Sequence, residues 1–203
     1  MGIQVILFDV GGVLVELGGV EALLGWMGPT ATAEDLWPLW LRSPSVRAFE
    51  TGRIEPMAFA VGILEELGLD IPPEQFIDSF AAWPTQPYPG VLELIGRIPP
   101  RYRRALLSNS NILHWPRIID GMDLRSVFEH RFSSHLTGKI KPDAEAFEHV
   151  AQTLGCAPAE ILFIDDNLLN VQAARSLGLR SQRTRGVEEV RLALQEAGVL
   201  PYI

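Results

Sequence analysis

Four short segments of the chain each end an apolar run with a polar group that can act on a phosphate. In chain order they supply an acid, a hydroxyl, an amine and a pair of adjacent acids. The segments are Ile6-Leu7-Phe8-Asp9, Leu106-Leu107-Ser108-Asn109, Gly138-Lys139-Ile140-Lys141-Pro142 and Phe163-Ile164-Asp165-Asp166. Buried parallel strands deliver the residues at their carboxyl ends to one edge of a sheet. The pattern therefore predicts a phosphoryl-transfer site at such an edge.

Asp9 is the candidate nucleophile, because a carboxylate can attack phosphorus and form an aspartyl-phosphate. Gly11 and Gly12 follow it closely, and glycines let the backbone turn and approach an anion. We therefore place both glycines among the phosphate-binding residues. An aspartate before two glycines is by itself more often an ordinary turn, and it is the three partner segments that favour a functional interpretation.

Ser108, Asn109 and Lys141 are the candidate phosphate ligands. A hydroxyl and the backbone donors of the loop after Ser108 can hold a phosphate oxygen, although the same residues are also typical of a helix cap. Lys141 precedes Pro142, which favours an extended backbone before it, and a lysine there can bridge the nucleophile and the phosphate. Lys139 is the competing lysine, and strand alternation directs it elsewhere.

Asp165 and Asp166 are candidate metal ligands together with Asp9. Adjacent carboxylates at a buried sheet edge repel each other unless a cation lies between them, and a set of oxygen ligands suits Mg²⁺. An exposed turn explains these two residues taken alone. It does not explain why three other strand ends also carry polar groups, so the sequence predicts a magnesium site.

The bulk composition limits the class of partner. The chain has 203 residues, a net charge of −8 and 47% hydrophobic residues, which is typical of a globular protein with a full core. The acidic balance argues against a nucleic-acid partner, and the sequence contains neither a membrane-spanning apolar run nor a signal-peptide layout. We expect a cytoplasmic protein. Cys156 is the only cysteine, so an internal disulfide is excluded, and we give it no role.

Strand and helix patterns alternate over most of the chain, which predicts a doubly wound α/β core with a parallel sheet. Buried strands are predicted at residues 3–8, 104–108 and 161–164. Helices are predicted from Val91 to Arg97, from Asp143 to Leu154, from Asn170 to Leu177 and from Val187 to Ala197.

The stretch from residue 16 to 89 breaks this alternation and contains no convincing strand. We interpret it as a helical cap inserted into a core formed by residues 1–15 and 90–203. Four of the five tryptophans lie in the cap, namely Trp26, Trp37, Trp40 and Trp83. Most of them should form the core of a small helical bundle. One or two can instead face the catalytic edge and exclude water.

The four segments, in this order and over nearly the whole length, resemble the haloacid dehalogenase superfamily. The helical insertion is similar to a type-one cap. Within it, Phe49-Glu50-Thr51-Gly52-Arg53-Ile54 resembles the Phe-Glu-x-Gly-x-Ile signature of the branch with bacterial glucose-1-phosphate phosphatases. The phosphatase domain of soluble epoxide hydrolases is a more distant relative. The resemblance implies that the Gly11 carbonyl also binds the metal and that Asp166 is its principal acidic ligand.

The chain departs from the superfamily pattern at one position. Most phosphatases of the superfamily carry a second aspartate two residues after the nucleophile, where it protonates the leaving group and activates water. That position is Gly11 here, as in the glucose-1-phosphate branch. Ser110, Asn111 and His114 lie close in sequence to the second segment, which ends at Ser108-Asn109, and are therefore candidate substitutes. The sequence does not choose among them.

These observations predict a Mg²⁺-dependent phosphatase of a small phosphorylated metabolite, with sugar phosphates as one option. One alternative is a non-catalytic or weakly active phosphate-binding protein that kept the fold. Another is a metal-free haloacid dehalogenase, which needs no adjacent acids in the fourth segment. The sequence identifies neither the substrate nor the oligomeric state, and a monomer and a homodimer are both open.

Overall fold

The central feature of the fold is a parallel sheet of five strands in the order β5-β4-β1-β6-β7. The structure, a computed structural model, describes residues 2–202. The strands of this sheet are β1 Val5–Phe8, β4 Arg103–Ser108, β5 His130–Ser133, β6 Ile161–Asp165 and β7 Arg180–Arg183. Phe8 at the end of β1 lies between Leu106 of β4 and Ile164 of β6 in the register. The predicted α/β core with a parallel sheet is therefore confirmed.

Two of the five strands were missing from the sequence prediction. β5 and β7 are the edge strands, and each is only partly buried along its length. Their sequences, His-Arg-Phe-Ser and Arg-Ser-Gln-Arg, are polar because one side of each strand has no neighbour and faces solvent. Apolar periodicity finds central strands of a parallel sheet and misses such edges.

Helices cover both faces of the sheet. In chain order they are α6 Val91–Gly96, α7 Leu124–Val127, α8 Ser134–Thr137, α9 Ala144–Leu154, α10 Leu168–Ser176 and α11 Gly186–Glu196. Ile6 and Phe8 pack on the side of α6 and α11, whereas Val5 and Leu7 pack on the side of α9 and α10. None of the described helices combines the length and the apolar composition that crossing a membrane requires.

Five helices form the cap, which packs around its own aromatic core. They are α1 Val20–Met27, α2 Ala33–Arg42, α3 Pro44–Glu50, α4 Pro56–Leu67 and α5 Pro73–Ala81. Phe49 stacks on Phe59 with ring centroids 4.4 Å apart, and Trp40 and Trp83 are buried in the same cluster. The cap is thus a helical insertion between β1 and the rest of the core, while its exact boundaries at residues 16 and 89 stay a prediction.

Two short strands at the ends of the cap segment were not predicted from the sequence. β2 Val15–Leu17 and β3 Pro84–Pro87 pair antiparallel where the chain leaves and re-enters the core. β3 begins and ends with proline, which cannot donate a ladder hydrogen bond and usually argues against a strand. Its partner is only three residues long, so neither strand gives a periodic signal.

The end of α3 is attached to the core at two points. Gly52, just after the helix, has a φ of +70°, and a Cβ there would lie 2.5 Å from the carbonyl oxygen of His135. Arg47 forms an ion pair with Asp143, the residue before α9. The first contact requires a glycine, because both the backbone conformation and the close approach exclude a side chain.

We predict that Gly52→Ala destabilises the protein more than Gly68→Ala. Gly68 is a matched control, because it also follows a helix with a positive φ of +66° but would place its Cβ in open space. Both variants lose about 1–2 kcal/mol from the left-handed conformation, and only Gly52→Ala adds about 1–3 kcal/mol of steric overlap. Urea unfolding of the two variants measures the difference, and equal losses would contradict the contact with His135.

Candidate active site

A buried lysine joins two of the predicted acids at the carboxyl edge of the sheet. Nζ of Lys141 lies 2.6 Å from Oδ1 of Asp9 and 2.7 Å from Oδ2 of Asp165. Burial alone lowers the pKa of Lys141, but the carboxylates of Asp165 and Asp9 outweigh it and raise that pKa above its usual range. Lys141 is therefore a permanent positive charge between the ends of β1 and β6. Lys139, the competing lysine, forms no ion pair with these acids.

Asp165 uses both carboxylate oxygens to hold this arrangement. Oδ1 accepts hydrogen bonds from the backbone N–H of Asn167 at 2.7 Å and from the side chain of Asn170 at 3.2 Å. Oδ2 accepts from Asn170 as well as from Lys141. Asn170, which lies in α10, was missed by the sequence analysis. The sequence feature that could have identified it is its position five residues after Asp165, in the first turn of the helix that follows β6.

Asn109 fixes the backbone of Lys141. Its Nδ2 donates to the carbonyl oxygen of Lys141, and its Oδ1 accepts from the N–H of Lys141, both at 2.9 Å. The peptide bond between Lys141 and Pro142 is cis, and α9 begins at Ala144, one residue after the predicted start at Asp143. The side chain of Asn109 thus pairs through both its nitrogen and its oxygen with the backbone of Lys141, and its phosphate-binding role stays a prediction.

Gly12 lies directly against Asp166. A Cβ on Gly12 would lie 2.8 Å from Oδ2 of Asp166, and Gly12 has a φ of +75°. Its N–H donates to the carbonyl oxygen of Val15 at 2.9 Å, so the donor that the sequence analysis gave to a phosphate is already paired. The structure gives this glycine a steric role, and its phosphate-binding role stays a prediction.

The three acids fit a divalent cation. One oxygen from each of Asp9, Asp165 and Asp166 lies within 4.8 Å of the others. Burial raises the pKa of Asp9 to about 7, and the neighbouring acids add to the effect while Lys141 opposes it. Burial and Asp165 also raise the pKa of Asp166. Three crowded carboxylates with one ammonium leave a net charge of minus two, which matches a hard cation with oxygen ligands.

A cavity of about 120 Å³ lies beside these acids, between the core and the cap. Gly11, Ser108 and Asn109 line it from the core, and aromatic side chains line it from the cap side. The cap contributes Trp37, Trp40, Phe80 and Trp83 together with Glu50. Trp40 and Trp83 therefore pack in the core of the cap and also line the cavity at the carboxyl edge of the sheet. A place in the bundle core and a place facing this edge are compatible for these two residues.

The chain is similar to hydrolases over most of its length. The model of the haloacid dehalogenase-like hydrolases matches residues 3–178. An (S)-2-haloacid dehalogenase of Xanthobacter autotrophicus is 27% identical over 158 residues, 76% of this chain and 60% of that enzyme. Phosphoglycolate phosphatase 1 of Pseudomonas aeruginosa is 26% identical over 208 residues, 97% of this chain and 75% of that enzyme.

A solved structure is similar in three dimensions. The structure of a haloacid dehalogenase family enzyme of Bacteroides thetaiotaomicron, in complex with magnesium and inorganic phosphate, is 26% identical with a TM-score of 0.71. The alignment covers 91% of this chain and 95% of that one. This chain spans 60% of the length of the Xanthobacter enzyme and only 27% and 13% of two fungal relatives.

The family match and the parallel sheet with its polar carboxyl edge define the class of protein. The chain belongs to the haloacid dehalogenase-like hydrolases, as the resemblance of its four segments predicted. The inserted helices α1–α5 agree with the predicted small cap.

We predict that Asp9→Asn changes how the stability of the metal-free protein depends on pH. Folding raises the pKa of Asp9 to about 7, so between its usual value and 7 the folded state holds a proton that the unfolded state releases. The wild type then loses stability as the pH rises through this window. An asparagine does not titrate.

The free energy of unfolding of Asp9→Asn, relative to that of the wild type, should therefore be higher at about pH 8 than at about pH 5. Urea unfolding in the presence of a chelator measures this difference. If the free energy of unfolding depends on pH in the same way for both proteins, folding does not raise the pKa of Asp9.

Proposed function

We propose that the protein is a Mg²⁺-dependent phosphatase that forms an aspartyl-phosphate on Asp9. The observation that carries the proposal is the ammonium of Lys141 between Asp9 and Asp165, with Asp166 next to them at the same strand edge. The arrangement holds one carboxylate ready as a nucleophile and leaves negative charge that a cation and Lys141 can balance. A structural role alone gives no reason for such a cluster.

The residues divide the chemistry as follows. Lys141 holds Oδ1 of Asp9, which directs the other oxygen toward an incoming phosphorus atom. The hydroxyl of Ser108, which ends β4 beside the cavity, donates to a phosphate oxygen. Lys141 balances the charge that Asp9 and the phosphate bring together. Water then attacks the aspartyl-phosphate and releases inorganic phosphate.

Asp9, Asp166 and the carbonyl of Gly11 would hold the metal. The bound Mg²⁺ would neutralise the phosphate and hold one of its oxygens near Asp9. Asp165 already carries hydrogen bonds on both oxygens, so it supports the site through Lys141 or through a water-mediated contact. The Bacteroides structure with magnesium and phosphate supports this assignment.

The substrate is a small phosphorylated metabolite. The phosphatase from Pseudomonas, which aligns with nearly the whole chain, supports this class. The cavity is too small for a macromolecule, and the net charge of −8 argues against nucleic acid as a partner. Location in the cytoplasm, absence of a membrane partner and a monomer or homodimer stay predictions.

Dehalogenation is the second candidate, and the Xanthobacter relative favours it. A dehalogenase also uses an aspartate as nucleophile, but it has no need of Asp166 beside Asp9 and Asp165. We therefore expect no release of chloride from 2-chloropropionate under conditions in which 4-nitrophenyl phosphate is hydrolysed. A weakly active phosphate-binding protein is the remaining alternative, and it would bind phosphate without turnover.

We predict that Asp9→Asn abolishes phosphatase turnover and the covalent phosphoenzyme together. An amide is a far poorer nucleophile than a carboxylate. The measurement is release of 4-nitrophenolate, combined with mass spectrometry of the quenched enzyme for a phosphorylated peptide that contains Asp9. Asp78→Asn, at an exposed cap position, is the matched control and should keep both signals. A phosphoenzyme in Asp9→Asn would contradict the assigned nucleophile.

We also predict that Asp166→Ala loses magnesium binding and turnover together. Asp166 is the acid of the cluster whose oxygens are least used by the protein, with Arg185 as its only ion-pair partner among the described residues, at 3.9 Å. Calorimetric titration with Mg²⁺ measures binding directly. Arg185→Gln serves as a control for the exposed ion pair, and we expect it to keep binding. Wild-type activity that is insensitive to a chelator would contradict the metal assignment.

A further inference from the structure

The proposed reaction needs a group that exchanges a proton with the leaving group, and Gly11 has no side chain to supply it. The structure excludes two of the three candidate substitutes, which follow Ser108 closely in the sequence. His114 is buried, which lowers its pKa to about 4, and its two ring nitrogens face the carbonyl of Phe80 at 2.6 Å and the amide of Asn111 at 3.2 Å. Asn111 has no titrating group.

Ser110, the third substitute, is a poor donor for a different reason. Its hydroxyl is buried and has no hydrogen-bond partner among the described residues. A hydroxyl transfers a proton near neutral pH only with a base beside it, whereas the hydrogen bonds of Ser110 join only its backbone N–H and carbonyl to the hydroxyl of Ser134. The acid therefore has to come from another part of the cavity wall.

Among the residues that the structure describes, Glu50 is the only one with a carboxyl group that lines this cavity. It is the last residue of α3 and shares the wall with Gly11, Ser108 and the tryptophans of the cap. It forms no hydrogen bond or ion pair with the described residues, although a half-buried carboxylate normally has such a partner. The charged groups that it faces are Asp9 and Lys141, and His114 on the same wall is neutral.

The neighbours of Glu50 in the chain hold it in this place. Phe49 stacks on Phe59 in the cap core, and Gly52 brings the end of α3 against the carbonyl of His135. Arg47, one turn earlier, is paired with Asp143 near Lys141. The helix end is therefore anchored on the cap side and on the core side, and Glu50 lies between the anchors. The Phe-Glu-x-Gly segment thus fixes the position of Glu50 in the fold.

The protonation state of Glu50 suits a proton donor. Its position inside the cleft raises its pKa to about 8, with Asp9 adding to the effect and Lys141 opposing it. The carboxyl is therefore mostly protonated near neutral pH. A general acid works best when its pKa lies close to the working pH.

We propose that Glu50 is the general acid and base of this site, supplying from the cap the carboxyl group that the core lacks at Gly11. The inference rests on the proposed phosphatase function. In the first step a carboxylate oxygen of Asp9 bonds to phosphorus, the bond from phosphorus to the leaving oxygen breaks, and the proton of Glu50 passes to that oxygen. In the second step water bonds to phosphorus and gives a proton to Glu50, while the bond to Asp9 breaks and inorganic phosphate leaves.

The test compares Glu50→Gln with Glu55→Gln, the same substitution at an exposed position of the cap. A poor leaving group needs protonation and a good one does not. We expect Glu50→Gln to lower kcat/KM for an alkyl phosphate such as glycerol phosphate by ~10²–10⁴-fold relative to Glu55→Gln. With 4-nitrophenyl phosphate it should keep a rapid burst of about one nitrophenolate per active site and then turn over slowly, because the second step lacks its base.

The wild-type pH profile gives a readout that a structural role would not change. We expect kcat/KM for the alkyl phosphate to fall as the pH rises through about 8, the value for Glu50, because the carboxylate form cannot donate. For the burst with 4-nitrophenyl phosphate this decline should be absent.

Three results overturn the inference, and a failure of the proposed function is distinguishable from a failure of the role of Glu50. If the wild type forms no phosphoenzyme at all, the proposed function fails and this inference with it. If the wild type forms a phosphoenzyme but Glu50→Gln hydrolyses the alkyl phosphate as fast as Glu55→Gln, only the role of Glu50 is wrong. A burst that falls as strongly as the alkyl turnover would also refute proton transfer and assign Glu50 a structural role.

Discussion

The ion pairs of Lys141 are the interaction on which the rest of the site depends. The ammonium is 3% exposed and holds carboxylates from two neighbouring strands. Burial of Asp9 and Asp165 without it would cost several kcal/mol for each unpaired charge. The surrounding contacts act on this lysine or on its partners: Asn109 fixes its backbone, and Asn170 orients Asp165. The strand ends are therefore arranged around one positive charge.

The incomplete charge balance of the same cluster opposes the stability of the metal-free fold and suits the proposed catalysis. Lys141 compensates only part of the negative charge, and burial leaves Asp9 with a pKa of about 7. The uncompensated charge destabilises the metal-free fold and favours the binding of a divalent cation. Such a stored electrostatic cost is a common property of active sites, where stability is exchanged for function.

The sequence predicted the central part of the fold and the identity of the acids because both depend on local patterns. Buried strands such as Ile161–Asp165 carry continuous apolar runs, and Asp9, Ser108 and Asp165 lie at or directly after the ends of such strands, whereas Lys141 lies in the loop between α8 and α9. The edge strands β5 and β7 lack this signal, since their burial depends on their neighbours in the sheet. The pairing of Asn109 with Lys141 was not predictable either, because it joins segments that are 32 residues apart in the chain.

The position of Glu50 is the clearest example of a feature that local sequence patterns do not predict. The sequence contains the Phe-Glu-x-Gly signature, but nothing in the periodicity of α3 indicates which side of the helix faces the core. That direction is decided by Gly52, whose missing side chain lets the helix end approach the carbonyl of His135. Function then becomes divided between two parts of the chain. In the proposed mechanism the core supplies the nucleophile and the balancing charges, and the cap supplies the cavity wall with Glu50.

This division has an electrostatic consequence. A carboxyl group at residue 11 would add a fourth acid two residues after Asp9, in a cluster where burial first and then the neighbouring acids raise the pKa of Asp9 and of Asp166. A carboxyl group on the cap is farther from the strand ends and can keep its proton, so it brings no negative charge toward an incoming phosphate. Glycine at position 11 and glutamate at position 50 are therefore compatible with each other, and proton transfer depends on the cap being seated on the core.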